Sequence, residues 1–147
     1  MKRAAWYWAG LCAVLALGAC ASMNSAGTTS GGTHDNANLP AGDVARGKAL
    51  TDQNSCTECH NSDFSGSSFF ANITSDAQTG IGAWTDAQVA AALRDGVDSD
   101  GSSLCSLMER FPFSDQQTAD VIAFLRSLPA VSRSSTDVCP GHGPRVK

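Results

Sequence analysis

An all-α domain with long connecting loops is what this sequence predicts, on three observations. Two segments open with capping boxes, Thr85 with Gln88 and Ser114 with Gln117, where a hydroxyl and an amide three residues apart satisfy each other's backbone donors. Apolar residues in the same segments recur at three- and four-residue steps, the period of a buried helix face. No run alternates β-branched and polar residues in the way a half-buried strand requires.

The chain begins with Lys2 and Arg3, an almost wholly apolar run from Ala4 to Leu17, and Leu17-Gly-Ala-Cys20. A basic start, a short apolar stretch and a small-residue processing site are the parts of an export signal, expected over 1–19. The run is shorter than the roughly 20 residues a spanning helix needs. Leu-Gly-Ala-Cys resembles the lipobox of bacterial lipoproteins, which implies cleavage before Cys20 and a diacylglycerol thioether on its sulfur. At about 0.8 kcal/mol per buried methylene, two or three acyl chains hold stably where one does not. Ala21 replaces the aspartate that retains many such lipoproteins at the inner membrane. The expected place is therefore a bacterial membrane, the outer rather than the inner, with the domain facing the periplasm.

Residues 20–41 are mostly Ser, Thr, Gly, Asn and Ala without apolar periodicity, a composition that cannot offset its ordering entropy. A flexible linker with a root-mean-square reach of roughly 25 Å is expected. His34 belongs to it and is expected to be solvated. The full chain has 10 basic and 14 acidic residues, a formal charge of −4, and loss of Lys2 and Arg3 takes it to −6. That sign disfavours nucleic acid and a bare anionic lipid surface as partners.

Residues 42–147 suffice for one domain. Its first helix is expected near Asp43 to Thr51, with Asp43 as N-cap and Val44, Gly47 and Leu50 on one side. Gly47 costs about 1 kcal/mol relative to alanine inside a helix, a penalty that makes sense where another helix crosses closely, and Phe124 is a candidate to pack over it. The second helix runs from Thr85 to Asp95 with Val89 and Leu93 as its stripe and Gly96 as its stop. The third follows Ser114 with Val121, Ile122, Leu125 and Leu128, and Pro129 lies beyond.

Between the first two helices stands Cys56-Thr-Glu-Cys-His60. This spacing suits covalent attachment of a c-type haem: two thiols reach the vinyl groups along one porphyrin edge while the adjacent imidazole binds iron. Cys-x-x-Cys also serves zinc sites and thioredoxin-like dithiols. A zinc site would have to recruit Cys105 and Cys139, which lack the paired two-residue spacing. A dithiol would want a strand before the motif and a helix after it, and polar residues flank it on both sides. One motif and no internal repeat predict one haem and one electron at a time. The acidic run Asp98-Ser-Asp-Gly101 is not a calcium loop, since that register would put Gly96 at the first ligand position and Leu107 at the twelfth; a solvated turn is expected.

For the sixth iron position the mature chain offers Met23, Met108, His34 and His142. Met108 lies between the second and third helices, where a loop can fold over the distal face. A space-filling core methionine is the alternative.

The segments Asn72 to Trp84, Leu93 to Gly101, Met108, and Ile122 to Pro129 together resemble the class I cytochrome c fold. More narrowly, they are similar to the haem domains of cytochrome subunits of membrane-linked alcohol and gluconate dehydrogenases. The resemblance spans about Ala41 to Val131. It implies that Cys56 and Cys59 bind haem c covalently, that His60 and Met108 are the axial ligands, and that Asn72 to Trp84 lines the haem edge. Two features of the family are missing: Leu107 and Glu109 flank Met108 where proline is frequent, and Asn61-Ser-Asp63 replaces a glycine and proline after the histidine.

With Cys12 in the leader, Cys20 lipidated and Cys56 and Cys59 on haem, Cys105 and Cys139 remain as a disulfide pair, permitted in an oxidising compartment. Closing that loop of roughly 34 residues contributes about 3 to 4 kcal/mol in the chain-entropy estimate, and the bond is expected to clamp the Met108 loop in place of proline.

The expected function is single-electron transfer without substrate chemistry, so a carrier rather than an enzyme. Donors would be a dehydrogenase or quinol-oxidising complex, and acceptors an oxidase or another cytochrome. A haem-based gas sensor with displaceable Met108, and a cytochrome subunit of a larger dehydrogenase, are the alternatives.

Overall fold

Four helices carry the fold: α1 Val44–Gln53, α2 Cys56–His60, α3 Asp86–Arg94 and α4 Asp115–Ser127. The computed structural model describes residues 36–135. The leader, most of the linker, Cys20, Met23, His34, Cys139 and His142 lie outside the described residues. Among those described there is no strand, only an isolated antiparallel bridge between Val97 and Ser103. No described helix is long and apolar enough to cross a membrane. The fold is all-α, as the sequence predicts.

The caps form as the sequence dictates. Asp43 accepts from Arg46 N at the start of α1. Thr85 with Gln88 and Ser114 with Gln117 close reciprocal boxes on α3 and α4. Gly96 takes φ +67° just past α3, a conformation open to glycine because it has no Cβ.

α4 is the central element, packed against both α1 and α3. Val121, Ile122, Phe124 and Leu125 are buried along it and meet Val89, Ala90 and Leu93 of α3 in one apolar core. The α1–α4 crossing is closer than side chains normally allow: a Cβ at Gly47 would stand 1.9 Å from the Asp120 carbonyl oxygen and 2.8 Å from the Phe124 Cβ. Phe124 does pack over Gly47, as expected, but the tightest neighbour is the backbone of Asp120. Gly42 makes the same kind of approach, 2.0 Å from the Ala119 carbonyl oxygen. The buried residues of α1 are accordingly Gly47 and Thr51. Val44, expected on the packed side, is 47% exposed, because the crossing is built on a residue without a side chain rather than on an apolar stripe.

A carboxylate locks this crossing. Asp120, almost wholly buried, accepts from Arg46 Nε at 2.7 Å and Nη2 at 2.9 Å, from the Asp43 backbone N–H at 2.8 Å and from Gln116 Nε2 at 2.9 Å. A buried charge is tolerated when its lone pairs are filled in this way. The Arg46 hydrogen bond above all, opposed by burial and reinforced by the Asp43 and Gln116 donors, holds the Asp120 carboxyl down at about 2.

Of the two long loops, the first, between α2 and α3, is tied back to α4 and the segment after it. Arg126 donates to the carbonyls of Ile81 at 2.7 Å and Trp84 at 2.6 Å. Asn72 Nδ2 donates to Val131 O at 2.6 Å, and Ser75 Oγ donates to Leu128 O. In the second loop the turn at Asp98 to Gly101 departs from expectation. Asp100 is exposed, but Asp98 is buried and accepts from Ser99 N at 2.5 Å and Ser99 Oγ at 3.0 Å.

Because the folded Asp120 carboxyl sits below its unfolded value of 3.8, its contribution is complete above about pH 4 and is lost as pH falls towards 2. Asp120→Asn should lower stability to urea at pH 7 by about 1 to 2 kcal/mol, the scale of a hydrogen bond to a charged group. The gap from the parent protein should close between pH 4 and pH 2.

Candidate functional site

A short helix brings the two cysteines and the histidine to one wall. Ser55 enters α2 with φ +53° and Asn61 leaves it with φ +63° and ψ 167°. The five residues between turn once, so Cys56, Cys59 and His60 all line the same cleft. This helix was not legible from periodicity, being too short to show a period.

The cleft has a cavity volume of about 220 Å3 and is open to solvent at its mouth. Ile73, Leu93, Phe111, Val121 and Leu125 give it apolar walls, Thr51 of α1 reaches it, and Met108 lines it with Leu107 and Glu109. Among the described residues Glu58 and Glu109 are its carboxylates, and no basic side chain other than His60 lines it.

His60 is 8% exposed, and its Nδ1 lies 2.7 Å from the Ala71 carbonyl oxygen. A carbonyl only accepts, so Nδ1 carries the proton and donates, and Nε2 is left with a free lone pair. That is the usual way a protein fixes the tautomer and orientation of a metal-binding imidazole. Burial holds the His60 pKa below the ordinary histidine value, partly opposed by the Ala71 bond, so the ring is neutral at pH 7 and available as a ligand. The Ala71 carbonyl is a functional group that sequence reasoning missed, since any residue could supply it.

No disulfide joins Cys56 and Cys59. Burial, more than any other cause, pushes the Cys56 thiol up, the opposite of the lowered value a redox-active dithiol needs. Cys105 is disulfide-bonded, which removes a cysteine the zinc alternative had to recruit. Cys139, its expected partner, lies outside the described residues. Of Asn72 to Trp84, expected along the haem edge, Ile73 lines the cleft. Asn72 and Thr74 instead face each other and the segment after α4: Thr74 Oγ1 donates to Asn72 Oδ1 at 2.8 Å, and the Val131 N–H donates to Thr74 Oγ1 at 3.2 Å.

A Cytochrome c family model matches residues 44–129, more than half of the chain. The chain belongs to the cytochrome c family, and with that it is a haem-containing electron carrier whose haem c is covalently bound. A search of curated proteins found no match to it. The residues present fit the group that the family implies by the chemistry of their donors: a pair of thiols two residues apart, an imidazole with Nε2 free, and a thioether line one largely apolar cleft.

Where the family frequently has glycine after the histidine, Asn61 occupies a region of backbone space that is essentially reserved for glycine. Its side chain holds it there by donating through Nδ2 to Gly66 O, while Gly66 N donates back to His60 O at 2.9 Å. Asn61→Ala keeps the strain and loses the bond, and should cost about 1 to 3 kcal/mol. Asn61→Gly removes the strain along with the bond and should stay within about 1 kcal/mol of the parent in chemical unfolding.

Proposed function

We propose that this chain is a monohaem lipoprotein cytochrome that passes single electrons between exported redox proteins. In this reading Cys56 and Cys59 would form the thioethers, and His60 and Met108 would be the iron ligands. The observation that carries it is the convergence of these four side chains on one apolar cleft, with the His60 tautomer fixed by Ala71.

Haem bound there supplies a one-electron ferrous–ferric couple. The chain's own residues do the rest. Ile73, Leu93, Phe111, Val121 and Leu125 keep water from most of the site and disfavour added positive charge. The soft Met108 thioether favours the reduced state and raises the potential. At the mouth, Leu107 is 59% exposed beside the exposed Glu58 and Glu109, an apolar contact with acidic neighbours suited to brief docking through a small interface.

The wider setting is part of the same proposal. Cys20 carries the lipid that tethers the domain, facing the periplasm, at the outer rather than the inner membrane. Cys105 pairs with Cys139. Donors are a dehydrogenase or quinol-oxidising complex and acceptors an oxidase or another cytochrome, and the domain serves as a subunit where its donor is a bound dehydrogenase.

Reduced-minus-oxidised spectra of the haem-loaded protein, with and without carbon monoxide, test the assignment. The parent protein should be inert to carbon monoxide at neutral pH. Met108→Leu should bind it rapidly and show a lower reduction potential. Rapid binding by the parent would instead mark a displaceable Met108 and a sensor.

A further inference from the structure

The loop that presents Met108 lacks the proline that would stiffen it, and its ends are fixed by α3 and the turn that follows it. Leu104 N–H donates to Gly96 O at 2.7 Å on the way in, and Phe111 N–H donates to Leu93 O at 2.9 Å on the way out. Between these anchors Met108 N–H donates to Cys105 O at 3.0 Å, closing a single turn. Leu107 and Glu109 on either side of Met108 are exposed, so at the crest of the loop only the Met108 side chain itself packs against the core.

One side chain spans its backbone. Arg110 Nη1 donates to the Met108 carbonyl at 2.6 Å and also reaches the Cys105 carbonyl at 3.4 Å. The guanidinium rests on Gly96, where a Cβ would stand 2.1 Å from its Cζ and 2.2 Å from Nε and Nη2. Gly96 thus has a second use beyond ending α3: its bare Cα is the seat for the Arg110 head group. A planar guanidinium with several donors in fixed directions can hold two carbonyls in one arrangement, which a single rotatable ammonium cannot.

We infer that Arg110 is a positioning residue for Met108, fixing the backbone of the ligand loop so that the thioether is aimed into the cleft. The inference rests on the reading of Met108 as the axial ligand. Fixing the Met108 and Cys105 carbonyls together removes the freedom of the turn between them, so less conformational entropy is lost when sulfur binds iron. Cys105 belongs to the same device, since its carbonyl receives both Met108 N–H and Arg110.

The test uses the haem-loaded full chain in four forms: parent, Arg110→Gln, Arg110→Lys and Met108→Leu. The ferric iron–thioether charge-transfer absorbance and the rate of carbon monoxide binding to the ferrous form are measured, with thermal unfolding alongside. The parent should show the band and Met108→Leu should lack it. Arg110→Gln should lose much of the band and bind carbon monoxide roughly tenfold faster, the scale of one hydrogen bond from a charged donor. Arg110→Lys, keeping the charge and one reachable donor, should fall between Arg110→Gln and the parent. Arg110 is exposed, so the melting transition should move little. An unchanged band and rate in Arg110→Gln overturn the inference while leaving Met108 as ligand. Band loss that tracks a collapsed melting transition, unrelieved in Arg110→Lys, overturns it too by marking a general packing role. Absence of the band from the parent removes the Met108 reading itself, and the inference with it.

Discussion

The close crossing of α1 on α4 is the constraint on which the site depends. With nothing but hydrogen on the Gly47 Cα, the α1 backbone comes down onto the Asp120 carbonyl, and Asp120 in turn ties its carboxylate to Arg46 and the α1 N-cap. This fixes Thr51 at the end of α1 opposite Val121 and Leu125 of α4, and all three line the cleft. The chain then needs only Asn54 and Ser55 before α2 begins, so the position of Cys56 follows from the angle at which the two longer helices meet. A wider crossing would open the back of the cleft and carry the cysteine pair away from the α4 wall.

The remaining walls come from loops, and loops need their own fastenings. The segment after His60 is closed by Gly66 N onto His60 O and by Ile73 N onto Phe64 O at 2.9 Å. It thereby delivers the Ala71 carbonyl to His60 Nδ1. The edge-to-face contact of Phe64 with Phe124, ring centroids 5.3 Å apart, joins this loop to the α1–α4 crossing itself. The Met108 loop hangs instead from the end of α3, through Leu93 and Gly96. A loop anchored on α3 therefore brings the thioether to the same apolar space into which α2, held by the loop that follows it, sets the imidazole.

Helix starts were legible because their signals are local. Asp43, the Thr85–Gln88 and Ser114–Gln117 boxes and Gly96 act within one turn of themselves, and each is found where the sequence puts it. The haem-binding motif was legible because its spacing is chemical rather than conformational. Gly47 announced a close approach but not its partner, as a missing side chain says nothing of which atom fills the space. Val44 misled, since an apolar residue in helical register is only a candidate for burial. The Ala71 carbonyl, the seat of Arg110 on Gly96 and the role of Asp120 were illegible, each being a meeting of residues far apart in the chain and, in two cases, a backbone atom that every residue owns. Asn61 carried a faint signal, standing where glycine is frequent, but the bond to Gly66 that sustains it appears only in the fold.

The central claim, that one porphyrin is covalently bound through Cys56 and Cys59 in this cleft, is tested most directly by peptide mass analysis of the full chain purified from a host competent in cytochrome maturation. The peptide containing residues 56–60 should carry the mass of a single haem, and no other peptide should. A colourless preparation, or a 56–60 peptide recovered with both thiols unmodified, would contradict it.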